Sequence, residues 1–253
     1  MNTPTLSATI ITFNEEKNIR DCLASVKWMD EIIVVDSFST DNTVDICRQY
    51  TDKVIQREWS GHVKQKQFAL EQATGGWILS LDADERLSDE AAQEIRGRLQ
   101  HGSPEADGFT FPRQSYYLGR WIKHCGWYPD RKLRLVRRGK ARWTGVDPHD
   151  KLVTDGKVEH LSGKIYHYVY HDIAHQLKTS DSFSRITAEQ WHQQGKQSTL
   201  FPLLFRPPLK FLETYLWKGG VLDGMPGFII SVIASYYVFL KYAKLWELQK
   251  IKK

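Results

Sequence analysis

The sequence predicts an α/β domain built on a mixed, mainly parallel sheet flanked by helices and followed by a helical C-terminal segment. Three observations predict it. Short β-rich runs alternate with helical patterns through the first hundred residues, as successive βαβ units require. Over 109–170 the helical rhythm is replaced by short aromatic and basic runs broken by Gly119, Gly126, Gly139, Gly145 and Gly156. After Asp172 helical spacing returns and leads into an uncharged stretch over 224–240. These shifts divide the chain into 1–105, 106–170 and 171–253, the first two being halves of one domain.

Candidate strands occupy 7–12, 31–35, 53–56 and 77–81, each a short run rich in β-branched or apolar residues. Between the first two, Ile19, Leu23 and Val26 recur at helical spacing, which predicts a helix over 15–27 with Asn14 as its N-cap. Further helices are predicted over 42–50, over 62–73 ahead of Gly75-Gly76, over 89–99 and over 172–194. The run Phe201-Pro-Leu-Leu-Phe-Arg-Pro-Pro208 predicts a break.

The uncharged run over 224–240 is seventeen residues long and ends at Lys241, with Lys244 following. That length is at the lower limit for a bilayer core of ~30 Å, and Pro226 and Gly227 are expected to shorten the helical part. With Trp217, Tyr236, Tyr237, Tyr242 and Trp246 near lysines, the tail reads as a monotopic anchor at a membrane surface; a buried pair of core helices is the alternative.

A net charge of +5 favours an anionic partner without choosing among nucleic acid, membrane and sugar phosphate. Cys22, Cys47 and Cys125 are odd in number and widely spaced, which suits a reducing cytosol rather than a disulfide framework. The first residues lack the basic and apolar regions of a signal peptide, so no export is expected and a cytoplasmic location follows.

Acids stand at two predicted strand ends. Trp77-Ile-Leu-Ser-Leu81 runs into Asp82-Ala83-Asp84, and Ile32-Ile-Val-Val runs into Asp36. Ligands of open α/β sheets bind beyond the carboxyl ends of strands, so these acids outline a cleft for a divalent metal and a nucleotide. Taken singly, each acid also suits a helix cap or the N-terminal end of a helix dipole.

Together, Thr9-Ile-Ile-Thr-Phe-Asn-Glu-Glu-Lys-Asn18, Val34-Val-Asp36-Ser-Phe-Ser-Thr-Asp41 and Leu81-Asp-Ala-Asp84 resemble the three successive signatures of family 2 glycosyltransferases of the GT-A fold. Ser37 and Phe38 depart from that family's usual second acid. Gly126-Trp-Tyr-Pro-Asp-Arg-Lys-Leu-Arg-Leu135, Arg142-Trp-Thr-Gly145, Pro148-His-Asp-Lys-Leu152, Ile165-Tyr-His-Tyr168 and Gly220-Val-Leu-Asp-Gly224 are similar to the branch that adds glucose to the inner-core heptose of bacterial lipopolysaccharide. In that branch Asp150 is more often Glu.

The resemblance implies an inverting, metal-dependent transferase that moves a hexose, glucose by preference, from a UDP-sugar to a lipid-linked anionic glycan at the inner-membrane surface. It implies that Thr12, Asn14, Glu15 and Asp36 line the uridine site, that Asp82 faces the ribose or the metal, and that Asp84 ligates Mg²⁺ or Mn²⁺. The acceptor hydroxyl needs a general base, for which Asp150 is the candidate and Asp147, on the same loop, its rival.

Among the histidines, His149 and His167 are candidates for the metal shell, whereas His171 and His175 lack the Glu of a His-Glu-x-x-His zinc site. The basic run over 131–142 suggests a strand with one cationic face for an anionic glycan. It matches no nucleic-acid module, so no nucleic-acid partner is expected. A nucleotidyltransferase is disfavoured because Asn14-Glu15-Glu16 is acidic where a phosphate-binding loop is basic and glycine-rich. A catalytically silent glycan-binding protein on the membrane is the remaining alternative.

Overall fold

The computed structural model describes residues 4–100, 105–147 and 149–251. The chain begins β1 (Leu6–Thr12), α1 (Ile19–Val26), β2 (Glu31–Asp36), α2 (Thr43–Cys47), β3 (Val54–Gln56), α3 (His62–Gln72), β4 (Trp77–Asp82), β5 (Glu85–Leu87) and α4 (Asp89–Gln100). It continues through β6 (Gly108–Tyr117), β7 (Arg120–Trp121), β8 (Asp130–Arg137), β9 (Ala141–Val146), β10 (His149–Thr154), β11 (Val158–His160) and β12 (Ile165–His167). Three helices close it: α5 (Ile173–Gln193), α6 (Leu200–Leu212) and α7 (Gly224–Ile251).

Strand β1 is uncharged and buried along its whole length, and it lies inside the sheet with strands on both sides. It pairs in parallel with β2 on one side and β4 on the other, and β3 extends the parallel set beyond β2. Antiparallel strands follow, giving the order β3-β2-β1-β4-β8-β6-β12-β5. The register sets Thr12 beside Asp36 and Ile11 beside Asp82, so the carboxyl ends of β1, β2 and β4 open at one edge. The buried side chains of α1 and α4 join Leu79, Phe109 and Phe111 in the main core. Each large apolar side chain buried there stabilises the fold by roughly 1.5–3 kcal/mol.

Two predicted helices are shorter than their patterns suggest. The first starts at Ile19, and Asn14 caps nothing: it sits at φ 53° with its side-chain oxygen accepting from Thr40 N at 2.8 Å. The second covers only Thr43–Cys47. In both places side chains of the 37–43 loop accept from backbone amides of 14–16, which competes with the helical ladder.

The chain forms two compact units, one of residues 1–114 with 130–168 and one of 115–129 with 169–253. The excursion over 115–129 thus groups with the C-terminal helices. In the second unit, Asp172 caps α5 by accepting from His175 N at 2.7 Å, and α5 and α6 both pack on α7. Asp223, fully buried, accepts from the backbone amides of Lys123 and His124 at 3.2 and 2.8 Å and so pins that excursion.

Two expectations for the tail are corrected. The proline-rich run is helical, with Pro207 and Pro208 inside α6. The helix survives because it is exposed, so water can serve the carbonyls of Leu203 and Leu204 that the two prolines leave without a donor. Pro226 and Gly227 do not shorten the last helix, since both lie in the first turn of α7, where proline loses no intrahelical bond. The apolar stretch Gly220–Lys250 is therefore long enough to cross a membrane, and about a third of its most apolar window is buried within the protein.

Candidate active site

At the ends of β1 and β2, two loops are laced together. Asn14 N donates to Ser39 Oγ, Glu15 N to Thr43 Oγ1 and Glu16 N to Asp41, at 2.8, 2.8 and 3.2 Å. Asp36 is fully buried and accepts from Ser39 N at 3.0 Å and Gln56 Nε2 at 3.3 Å, so its carboxylate shapes the loop that faces Asn14. Thr12 is also buried, and its hydroxyl has no partner among the described residues. Beside these two residues stand Phe13 and Phe38, 54% and 51% exposed, the latter at φ 60°. Exposed rings next to a polar cleft are available for stacking on a planar ligand.

At the end of β4, Asp82 enters a buried ion network. Lys66 Nζ, on α3, lies 2.7 Å from Asp82 and 2.8 Å from Asp150 on β10. Arg134 on β8 reaches Asp82 at 3.0 Å and Glu85 at 2.8 Å, and Arg113 bridges Glu85 and Asp130 at 3.2 and 2.6 Å. Burial alone would raise the Asp82 carboxyl, but the charges of Lys66 and Arg134 outweigh it and hold the group well below the ordinary carboxylate range. Glu85, fully buried, is lowered by Arg134 against the same burial cost. The indole of Trp143 covers the cations, with Lys66 Nζ 4.7 Å from its centroid.

Asp84 points elsewhere. Its carboxylate lies 3.2 Å from His167 Nε2, and Asp84 O accepts from Tyr168 N at 2.9 Å, because the antiparallel pairing of β5 with β12 sets His167 opposite Glu85. An oxygen and an imidazole nitrogen side by side suit a divalent cation whose other ligands come from a substrate. Among the described residues no group of three or more His, Cys, Asp or Glu converges. Glu15 feels the same corner: burial, and then the charge of Asp84, push its carboxyl up to about 7.

The two acids of the β9–β10 hairpin are separated by what they touch. Asp147 accepts from His62 N at 3.1 Å and Val63 N at 3.4 Å, which satisfies the N-terminus of α3. Gly61 makes room, at φ +101°, since a Cβ there would stand 2.3 Å from Asp147 Oδ2. Asp150 joins Lys66 and the network instead. Pro148, from the motif between them, lies outside the described residues, and His149 is exposed.

The single cationic face expected over 131–142 is corrected. On β8, Lys132 pairs with Asp130 at 3.0 Å, Arg134 is buried in the ion network, and Arg137 bonds Asp107 at 2.8 Å. Arg134 and Arg137 answer carboxylates from other segments, which a local pattern does not reveal, whereas Lys132 pairs within its own strand. Lys66, Glu85 and Arg134 are the site residues that sequence reading overlooked. The two exposed rings were overlooked as well.

Comparison with known proteins places this geometry. A family model described as glycosyl transferase family 2 matches residues 7–161. The chain belongs to glycosyl transferase family 2. It is 34% identical over 259 residues to the lipopolysaccharide core biosynthesis glycosyltransferase LpsC of Rhizobium meliloti, covering 98% of this chain and 94% of that protein. An uncharacterized glycosyltransferase of Rickettsia typhi is 33% identical, with 96% and 87% covered. Among solved structures, the mannosyltransferase PcManGT of Pyrobaculum calidifontis, in complex with GDP-Man and Mn²⁺, is similar at a TM-score of 0.54 and 14% identity, covering 98% of this chain and 88% of that one. That likeness bears on the fold, which is GT-A. As a family 2 glycosyltransferase, the chain carries every expected site acid within the matched segment, whereas His167 lies just beyond it.

Proposed function

We propose that this glycosyltransferase moves a hexose, glucose in our reading, from a UDP-sugar to an inner-core heptose of lipopolysaccharide, with inversion at the anomeric carbon. The observation that carries the reading is the sharing of Lys66 between Asp82, at the donor end of β4, and Asp150, on the hairpin that faces it. The similarity to LpsC and the motifs over 126–168 support the lipopolysaccharide acceptor.

In this reading Thr12, Asn14 and Glu15 border the uridine site, Phe13 and Phe38 stack on the base, and Asp36 acts by ordering the loop between them. Asp82, fixed by Lys66 and Arg134, meets the ribose rather than a metal, because an ammonium at 2.7 Å opposes a second cation on the same oxygens. Asp84 and His167 would hold Mg²⁺ or Mn²⁺. Bound there, the ion supplies neutralisation of the charge that develops on the departing diphosphate.

Asp150 receives the proton of the acceptor hydroxyl as its oxygen attacks the anomeric carbon from the face opposite the leaving group. Such a base contributes about 10²–10⁴-fold. A diphosphate arriving beside Asp82 competes for Lys66, which leaves the Asp150 carboxylate free to accept from the acceptor hydroxyl. The exposed apolar faces of α6 and α7 set the enzyme on the cytoplasmic surface of the inner membrane, where a lipid-linked acceptor is presented.

The test is a panel of nucleotide sugars offered to the purified protein with heptose-containing acceptors and Mg²⁺ or Mn²⁺. Transfer from UDP-glucose, with the product bond inverted, is the expected result. Transfer from a different donor alone, or retention of configuration, overturns the reading.

A further inference from the structure

Where α5, α6 and α7 meet, a cavity of about 450 Å³ is lined by Trp191, Lys196, Arg206, Lys241 and Tyr242. Three of these are cations, and each lies over a ring. Lys196 and Lys241 both stand 5.0 Å from the Trp191 centroid, and Arg206 stands 5.5 Å from that of Tyr242. No carboxylate among the described residues forms an ion pair with any of the three. Of the acids on these segments, Asp181 is engaged with Lys244 at 2.6 Å and Glu213 with Lys210 and Lys218 at 3.1 and 2.6 Å, while Glu189 and Glu247 pair with none of the three.

The walls are fixed by bonds of their own. Ser198 Oγ donates to Tyr242 O at 2.9 Å and Gln249 Nε2 to Lys196 O at 3.0 Å, which ties the turn after α5 to α7. Burial, with the charges of Lys210 and Arg206, lowers the Lys241 ammonium. Rings hold three positive groups around a space where no described carboxylate pairs with them, and such a space favours an anion with several acceptor oxygens.

The same helices are apolar where they face outward. Leu204, Phe205, Trp217, Leu222, Met225 and Phe228 are exposed along α6, the turns after it and α7, with Trp217 at 88%. An apolar face of this extent suits insertion into the acyl boundary of a bilayer, where headgroup phosphates form the adjoining layer.

We propose that the Lys196–Arg206–Lys241 cavity is a binding site for the phosphate of an anionic membrane phospholipid, seating the enzyme's C-terminal helices in the headgroup layer. The proposal rests on the membrane placement argued above, and its test separates the two. The full-length protein is sedimented with vesicles of phosphatidylcholine and with vesicles that also contain phosphatidylglycerol.

Wild type is expected to bind the first weakly and the second strongly. The triple variant Lys196→Gln, Arg206→Gln, Lys241→Gln loses most of that increment, on the order of a hundred-fold, at about five-fold per charge. A control with Lys27→Gln, Arg138→Gln and Lys140→Gln keeps it. Arg206→Gln alone, a change of an exposed side chain with an unchanged melting temperature, is expected to lose about five-fold.

Failure to bind any vesicle overturns the membrane placement and the site with it. Binding without preference for phosphatidylglycerol, or an equal loss in the control, overturns the site alone. A rise in melting temperature with millimolar inorganic phosphate that the triple variant loses, together with no such loss of its binding to the anionic vesicles, assigns the cavity to a free anion and overturns the lipid.

Discussion

Lys66 and Asp150 meet at 2.8 Å, joining the middle of α3 to β10. Because the same ammonium holds Asp82 at 2.7 Å, one side chain links the end of β4 to the hairpin that carries the proposed base. Asp147 is only three residues from Asp150 and does a different job at the start of α3.

That division predicts opposite phenotypes for two similar changes. Asp150→Asn is expected to lower kcat by about 10²–10⁴-fold with the melting temperature nearly unchanged. Asp147→Ala is expected to cost about 1 kcal/mol of stability through the lost cap, with turnover retained. Steady-state kinetics and thermal unfolding of both proteins check this.

The buried pair of Arg134 and Glu85 predicts a stability effect. Arg134→Gln leaves Glu85, fully buried, with much less compensation and should destabilise the first unit by roughly 3–5 kcal/mol. Adding Glu85→Gln should recover part of that loss. Urea unfolding of the single and double variants measures it.

Glu15 predicts a pH dependence. Its carboxyl is raised from 4.5 to about 7 by burial and by Asp84. Between those values the folded protein holds a proton that the unfolded chain releases, so this group makes stability fall as pH rises through the window. Glu15→Gln should flatten that slope, and unfolding measured from pH 4.5 to pH 7 without added metal shows whether it does.

Phe13 predicts a binding effect without a chemical one. If its ring stacks on the donor base, Phe13→Ala should raise KM for the donor about ten-fold, within the 1–3 kcal/mol typical of base stacking, and leave kcat near the wild-type value. Donor titrations at saturating acceptor give both constants.

Much of the first hundred residues is legible because its signals are local. The runs ending at Thr12, Asp36 and Asp82 are apolar and short, so strand, burial and the position of the acid follow from adjacent residues. Lys66 was illegible for the opposite reason. It sits in His62-Val-Lys-Gln-Lys-Gln, which reads as a solvated helix face, and its burial depends on Asp82 and Asp150, 16 and 84 residues away. Arg134 was hidden by its basic neighbours, since nothing near it in the chain announces Glu85. In α6, the pair Pro207-Pro208 argues for a break, and only the packing of this helix on α7, with the freed carbonyls left to water, shows why it continues.

The most direct test of the shared-lysine account is donor hydrolysis and sugar transfer measured side by side for wild type and Asp150→Asn, with UDP-glucose and a heptose acceptor. The account predicts that the variant still binds UDP-glucose and releases UDP slowly without acceptor, while transfer to the acceptor falls by at least about 10²-fold. Transfer at the wild-type rate by the folded variant would contradict it.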